Sequence, residues 1–285
     1  MRASTQPQRK EVHTMDEIRI ILQGIRIDHK LEIHDGITLT PLPNSTEQPA
    51  SISPGLPTII TEEPTSYLGK VLLSKTKSNE FPVPTFLQHL SLICNNAVHP
   101  VKEWIQPKTS DPSGISVHSY RDDPRWPTVD ISESHISETK EQFDKFMSLA
   151  SDVKNKLDIP ISRWVKSKTE KDVDRIIDLA IAFEVLYLDD SSAQHQLSLA
   201  FSLRAAWHLG SDVQERQNLL SSFKDIYTTR SKAVHRGNFS ADNTRLAEAD
   251  RLCAQAIKKF IDDGNFPDWN SLVVGGTGKR NSSGK

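Results

Sequence analysis

The chain has 285 residues, 36% hydrophobic and 25% charged, with a formal net charge of -2. That composition suits a folded globular protein of one large or two modest domains, and it excludes a global electrostatic field for nucleic acid. Cys94 and Cys253 lie far apart without metal-ligand spacing, so reduced thiols are expected rather than a disulfide.

Residues 1–14 are polar, and "MRASTQPQRKEVHTM" has no apolar stretch that would serve as a secretory signal. No segment reaches the roughly 20 apolar residues of a membrane span. A cytoplasmic location without membrane association is therefore expected, with a disordered N-terminus and a disordered tail over 275–285.

From Ile18 the apolar pattern has period two. Ile25 and Ile27, Leu31 and Ile33, and Ile37 and Leu39 alternate with polar residues. Asp28-His29-Lys30 and Asp35-Gly36 supply the turns, so a short β-meander is predicted. His29 and His34 beside these turns read as solvated residues, since no third metal ligand is evident. "TPLPNSTEQPASISPGLP" is a Pro- and Ser-rich loop. An extended piece around "PTIITEE", a strand "KVLLSK" and a helix "VPTFLQHLSLICNN" follow. Prolines dominate about 107–134, which reads as a surface connection. Residues 15–130 thus form an N-terminal α+β region whose role the sequence does not state.

Residues 135–264 are helical in pattern. "ISETKEQFDKFMSLASDVKNKL" places Ile136, Phe143, Phe146, Leu149 and Val153 on one side of a helix. Pro160 marks the first turn of a short helix, "PISRWVKSK". Four longer helices are predicted at about 171–188, 194–209, 212–235 and 241–263, with Ser240 or Asp242 capping the last. Their short connections favour antiparallel neighbours in a bundle. The fold class expected is α+β, with short antiparallel strands first and an all-α bundle last.

Two charges stand in apolar helices, Glu184 in "LAIAFEVLYL" and Arg204 in "AFSLRAAWHL". Burying either alone is costly, so the two are expected to meet as an ion pair. Such a pair fixes helix register, or it places Glu184 beside a catalytic residue.

"YTTRSKAVHRGNF" sets Arg230 and His235 five apart. With about 15 arginines and 10 histidines, roughly 0.5 matches to R-x4-H are expected by chance, so the spacing decides nothing alone. Context adds weight. Lys224, Lys232 and Arg236 surround the pair and suit phosphate contacts, although cations also suit a helix C-terminus. Tyr227 either stacks on a base or packs in the core. Five residues at about 100° each set Arg230 and His235 roughly 140° apart on a regular helix. Convergence on one phosphate then needs the helix to end near Val234, or a second copy.

"DRIIDLAIAFEVLYL", "LAFSLRAAWHLG" and "FKDIYTTRSKAVHRG" together resemble successive helices of the HEPN superfamily, with its ApeA-like branch the nearest in pattern. Glu184, Arg204, Tyr227, Arg230, Ser231 and His235 fall at the branch's motif positions, over about residues 170–263. The sequence departs at "HRG", where Arg236 separates the histidine from Gly237. The resemblance implies a helical bundle that dimerises with the R-x4-H motifs of two copies at one cleft. It also implies metal-independent endoribonuclease activity, often in defence or stress response, or a non-catalytic module that binds RNA or a protein. Arg230 and His235 would be catalytic, with Ser231, Tyr227, Glu184 and Arg204 in support and Lys224, Lys232 and Arg236 on RNA. No cofactor or metal is implied; an unidentified activator or partner protein is compatible with the pattern.

Overall fold

A computed structural model describes residues 16–42, 70–106, 117–123, 126–188, 197–236 and 243–276; the side chains of Gln106, His235 and Arg236 are outside that description. The fold is α+β: an antiparallel sheet toward the N-terminus and helices toward the C-terminus. Two compact units divide the chain, Met1–Phe81 with Pro100–Pro124, and Pro82–His99 with Arg125–Lys285. The units are therefore not contiguous in sequence, because the first helix belongs with the later ones.

In the first unit, strands β1 (Glu17–Gln23), β2 (Ile25–Arg26), β3 (Leu31–His34), β4 (Ile37–Pro41), β5 (Val71–Thr76), β6 (His99–Gln106) and β7 (Val117–Ser119) follow in order. The main sheet runs β3-β4-β5-β1-β6-β7. The predicted meander forms in part: β3 and β4 pair where the alternation placed them, whereas β2, which carries Ile25, lies outside the main sheet. Leu31, Ile33, Ile37 and Leu39 are buried, while Glu32 and His34 are exposed. His34 pairs with Ile37 across the two-residue turn Asp35-Gly36. Gly36 adopts φ +68, the left-handed conformation that such a turn requires and glycine supplies without strain.

β1 departs from simple alternation, because Ile20, Ile21 and Leu22 are all buried. It lies inside the sheet between β5 and β6, and an inner strand covered on both faces carries a continuous apolar run. The stretch expected to be a surface connection from about 107 also contains structure. β7 pairs antiparallel with β6, Lys102 opposite Ser119 and Trp104 opposite Val117. Ile21, Leu42, Leu72, Val101 and Trp104 pack into one cluster. The "PTIITEE" segment and most of the Pro- and Ser-rich loop lie outside the described residues.

The second unit contains α1 (Val83–Cys94), a two-residue strand β8 (Val129–Asp130), α2 (Glu133–Ser148), α3 (Ser151–Ser167), α4 (Asp172–Tyr187), α5 (Leu197–Leu209), α6 (Val213–Arg236), α7 (Asn243–Asp263) and α8 (Trp269–Val273). The boundaries of α4 to α7 agree with the expected segments to within about three residues. Two expectations fail upstream. The helix expected over 136–157 is broken, since Leu149 and Ala150 are extended between α2 and α3. Leu149 packs against the bundle core, and the break redirects the chain around that contact. Pro160 then lies inside α3 rather than at its start. A proline there forgoes one backbone hydrogen bond and costs about 3 kcal/mol in an isolated helix. Burial of Leu157, Pro160, Ile161 and Trp164 offsets that cost. Arg163 and Lys166, one turn beyond, each reach the buried Asp178 carboxylate of α4 at 2.8 Å.

The core of this unit is aromatic. Phe183, Tyr187, Phe201, Phe223 and Phe260 form edge-on and tilted ring contacts at centroid distances of 5.3 to 6.1 Å. Such rings join burial with favourable quadrupole geometry. Gly210 ends α5 in a crowded position. A Cβ there would meet Arg216 Cγ at 2.7 Å and the Ala206 carbonyl at 2.8 Å. Gly210→Ala is therefore expected to destabilise the protein by about 1–3 kcal/mol, measured by urea unfolding. An unchanged midpoint would show that the α5–α6 turn relaxes freely.

Candidate functional site

α4 and α6 meet near the motif region. The Glu184 Oε1 carboxylate oxygen of α4 receives the Arg230 Nη2 guanidinium nitrogen of α6 at 3.2 Å. Both side chains are about a third exposed, 36% and 35%. The pair is thus a surface-accessible group held in a fixed place, and its stability contribution is on the order of 0–1 kcal/mol.

This corrects the expected pairing of Glu184 with Arg204. Arg204 is buried and donates Nη1 to the Tyr187 carbonyl at 2.7 Å, at the C-terminal end of α4. Its guanidinium also lies 5.4 Å from the Trp269 ring centroid. Helix-end carbonyls have no partner within the helix, so a buried cation there completes α4 electrostatically. Arg204 is accordingly a structural residue. The two charges are not on one face: Glu184 is turned toward solvent and Arg204 inward.

Tyr227, one turn before Arg230, is half-buried and lies 5.9 Å from the Phe201 ring. Core packing and an accessible edge are combined in the one residue. Ser231 is half-buried, whereas Lys224 and Lys232 are exposed. His235 and Arg236 continue α6 in backbone only, and Gly237, Ser240 and Asp242 lie outside the described residues. α6 is helical through Arg236, so it does not end near Val234 as convergence within one copy would require. Of the sequence-predicted set, the fold joins Glu184 to Arg230 and separates Arg204 from both.

Sequence reading missed a second polar group, inside the bundle. His208 Nδ1 lies 3.1 Å from the Tyr187 hydroxyl, and its Nε2 lies 3.0 Å from Asp263 Oδ2. Burial holds the His208 ring below its ordinary pKa, against the opposing pull of Asp263. Burial would raise the Asp263 carboxyl, but hydrogen bonds from His208 and Lys259 bring it below the usual range. Tyr187 is pushed far upward, mainly by burial. A neutral ring, donating to Asp263 and accepting from Tyr187, satisfies all three groups. Each residue looks ordinary in sequence, and only helix packing brings them together.

The early histidines have local partners. His29 Nδ1 contacts the neighbouring Asp28 carboxylate, and His34 lies 4.6 Å from the Phe81 ring. Burial pushes the Cys94 thiol up to about 11 and the Cys253 thiol well above its usual value, which leaves both as weak nucleophiles.

The fold and site together define an α+β protein with a helical unit that carries a carboxylate-held arginine on its surface. Among the described residues no helix is long and apolar enough to cross a membrane. No family model matches the chain, and no curated protein or solved structure matches it.

Proposed function

We propose that this protein is a HEPN-type, metal-independent endoribonuclease of the ApeA-like kind that cleaves RNA through the Arg230–His235 motif, in a defence or stress response. The observation that carries this reading is the Glu184–Arg230 ion pair, because it connects two of the three resembling segments at an accessible surface. RNA supplies its own nucleophile. The 2′-hydroxyl loses its proton to a general base and attacks the adjacent phosphorus. The phosphorus–O5′ bond then breaks as the leaving oxygen takes a proton. His235 suits the acid–base steps, since histidine is the residue type whose charge changes nearest neutral pH. Arg230 keeps its charge and offers a planar fork to the phosphate oxygens. Glu184 orients that fork. Tyr227 and Ser231 flank it, and Lys224, Lys232 and Arg236 hold neighbouring phosphates. Products are a 2′,3′-cyclic phosphate and a 5′-hydroxyl end.

A homodimer completes the site in this reading. On a regular α6, Arg230 and His235 lie roughly 140° apart, so one phosphate is served by residues from two copies. Val234, and Leu197 and Leu199 at the start of α5, are exposed apolar residues that suit such a contact.

The same ion pair favours a second reading, a non-catalytic HEPN-type module that binds RNA or a partner protein. Glu184 already neutralises part of the charge that a phosphate would need. One experiment separates the two. The full chain is incubated with a mixed RNA pool in EDTA, and new ends are mapped by cyclic-phosphate sequencing. Discrete cuts support the enzyme. Retention of RNA without cuts supports an RNA-binding module, and neither behaviour leaves the module that binds a partner protein.

A further inference from the structure

α8 is a short helix held by one anchor. Of its five residues only Trp269 is buried, and the helix packs chiefly on α5. The Trp269 ring sits in a socket built by three other helices. Its centroid lies 5.6 Å from that of Tyr187 (α4), 6.1 Å from that of His208 (α5) and 6.2 Å from that of Phe260 (α7). The Arg204 guanidinium, one turn before His208 on α5, lies 5.4 Å from the same ring. A single turn of helix that buries one side chain belongs to the low-stability end of a fold and opens by itself most readily.

His208 lines that socket, and its hydrogen bonds hold only while the ring is neutral. Nε2 donates to Asp263 at 3.0 Å, and Nδ1 accepts from the Tyr187 hydroxyl at 3.1 Å. Among the described residues the hydroxyl has no second partner. A protonated imidazole donates from both nitrogens. Nδ1 then meets the hydroxyl donor to donor, unless the hydroxyl proton turns into the apolar ring of Phe201, Phe223 and Phe260 around Tyr187. A buried donor left without an acceptor is costly.

The surrounding groups do not offset that cost. From α7, Asp263 favours a charged ring, while the Lys259 ammonium, which holds the same carboxylate at 2.9 Å, opposes it. α4 contributes the Tyr187 hydroxyl, α5 itself the permanent charge of Arg204, and α8 only the uncharged Trp269. Burial outweighs Asp263, so the ring resists protonation where it lies. Lifting Trp269 away lets water reach His208 and relieves that burial, while the contacts among α4, α5 and α7 remain.

We propose that α8 is an acid-released latch: protonation of His208 undocks Trp269 and uncovers Arg204 and the end of α4, while the rest of the bundle stays folded. In the released state the ring titrates near its ordinary 6.5, and in the docked state lower, so the released state binds more protons. Docking is therefore complete above about pH 6.5 and weakens as the pH falls below it. The latch does not rest on the ribonuclease reading.

Hydrogen exchange of the full chain, read by mass spectrometry at pH 7 and pH 5 and corrected for the intrinsic pH dependence of amide exchange, tests it. Protection over 266–274 is expected to fall at least about threefold more than protection over α4 and α7. Acid effects elsewhere in the bundle act on α4 and α7 as well and cancel in that difference. His208→Gln keeps a donor toward Asp263 and does not titrate, so the excess is expected to vanish. Asp263→Asn removes the carboxylate that favours the charged ring while docked, so the excess is expected to grow. A histidine with a merely structural role would not give these opposite changes. Equal loss of protection across α4, α7 and α8 overturns the proposal, and so does an excess that persists in His208→Gln. Should that variant not fold, Asp263→Asn decides, and an unchanged or smaller excess overturns the latch.

Discussion

Replacing His235 with alanine is expected to lower RNA cleavage by about 10²–10⁴-fold, the usual contribution of a positioned general acid or base. The prediction belongs to the ribonuclease reading and is checked by single-turnover cleavage of an RNA that the native protein cuts. Arg230→Lys keeps the charge but loses the planar fork, so a smaller loss, about 10–100-fold, is expected with RNA affinity largely retained. Glu184→Gln leaves a hydrogen-bond acceptor and removes the competing charge. Under the catalytic reading it misorients Arg230 and slows turnover while tightening RNA binding. None of these changes should unfold the protein, because the Glu184–Arg230 pair is about a third exposed on both sides and worth little to stability. A His235→Ala protein that cleaves as fast as native would eliminate the motif as the catalytic group. Loss of helicity in that variant would make the activity uninformative, so circular dichroism accompanies each measurement.

Acidification is expected to remove about 3 kcal/mol of stability through one histidine. His89 of α1 is fully buried, packed 4.7 Å from the Phe146 ring and 5.9 Å from that of Phe143. Neither ring nitrogen has a hydrogen-bond partner, and the Gln142 Oε1 atom is likewise buried without one. Burial lowers the His89 pKa to about 4, opposed in part by the nearby Gln142 side chain, which lies outside hydrogen-bond geometry. In the unfolded chain the ring titrates near 6.5, so the unfolded state binds more protons between the two values. This contribution is complete above about pH 6.5, declines as pH falls, and is fully lost below about pH 4. His208 acts in the same direction, since its pKa is also lowered. Urea unfolding at pH 7 and pH 5 should differ by about 2 kcal/mol from His89 alone. His89→Leu, an apolar side chain among phenylalanines, should flatten that difference. An equal pH dependence in the variant would refute the assignment and move the acid sensitivity elsewhere.

How much of this was legible in the sequence follows from the range of the forces involved. The β3–β4 hairpin and the limits of α4 to α7 are local matters. Alternation at Leu31, Ile33, Ile37 and Leu39 encodes a face, Asp35-Gly36 encodes a turn, and Gly210 encodes a stop, each within a few residues. The spacing of Arg230 and His235 is likewise a pattern along one element, which the sequence displays without assigning it a role.

Partners across elements were not legible. Apolar surroundings in the sequence suggested that Glu184 and Arg204 needed each other. Periodicity constrains which face of its own helix a side chain occupies, but not what the next helix places there. Packing turned Glu184 outward to Arg230 and left Arg204 at the carbonyl of Tyr187. The same limit hid the β6–β7 pairing, the break at Leu149 and the passage of α3 through Pro160, where tertiary burial outweighs local preference. By itself the sequence determined which segments are strands and helices wherever hydrophobic period and turn residues agree. Tertiary structure alone decided which polar groups meet, because burying a charge or hydroxyl is favourable only when a specific distant group arrives to satisfy it.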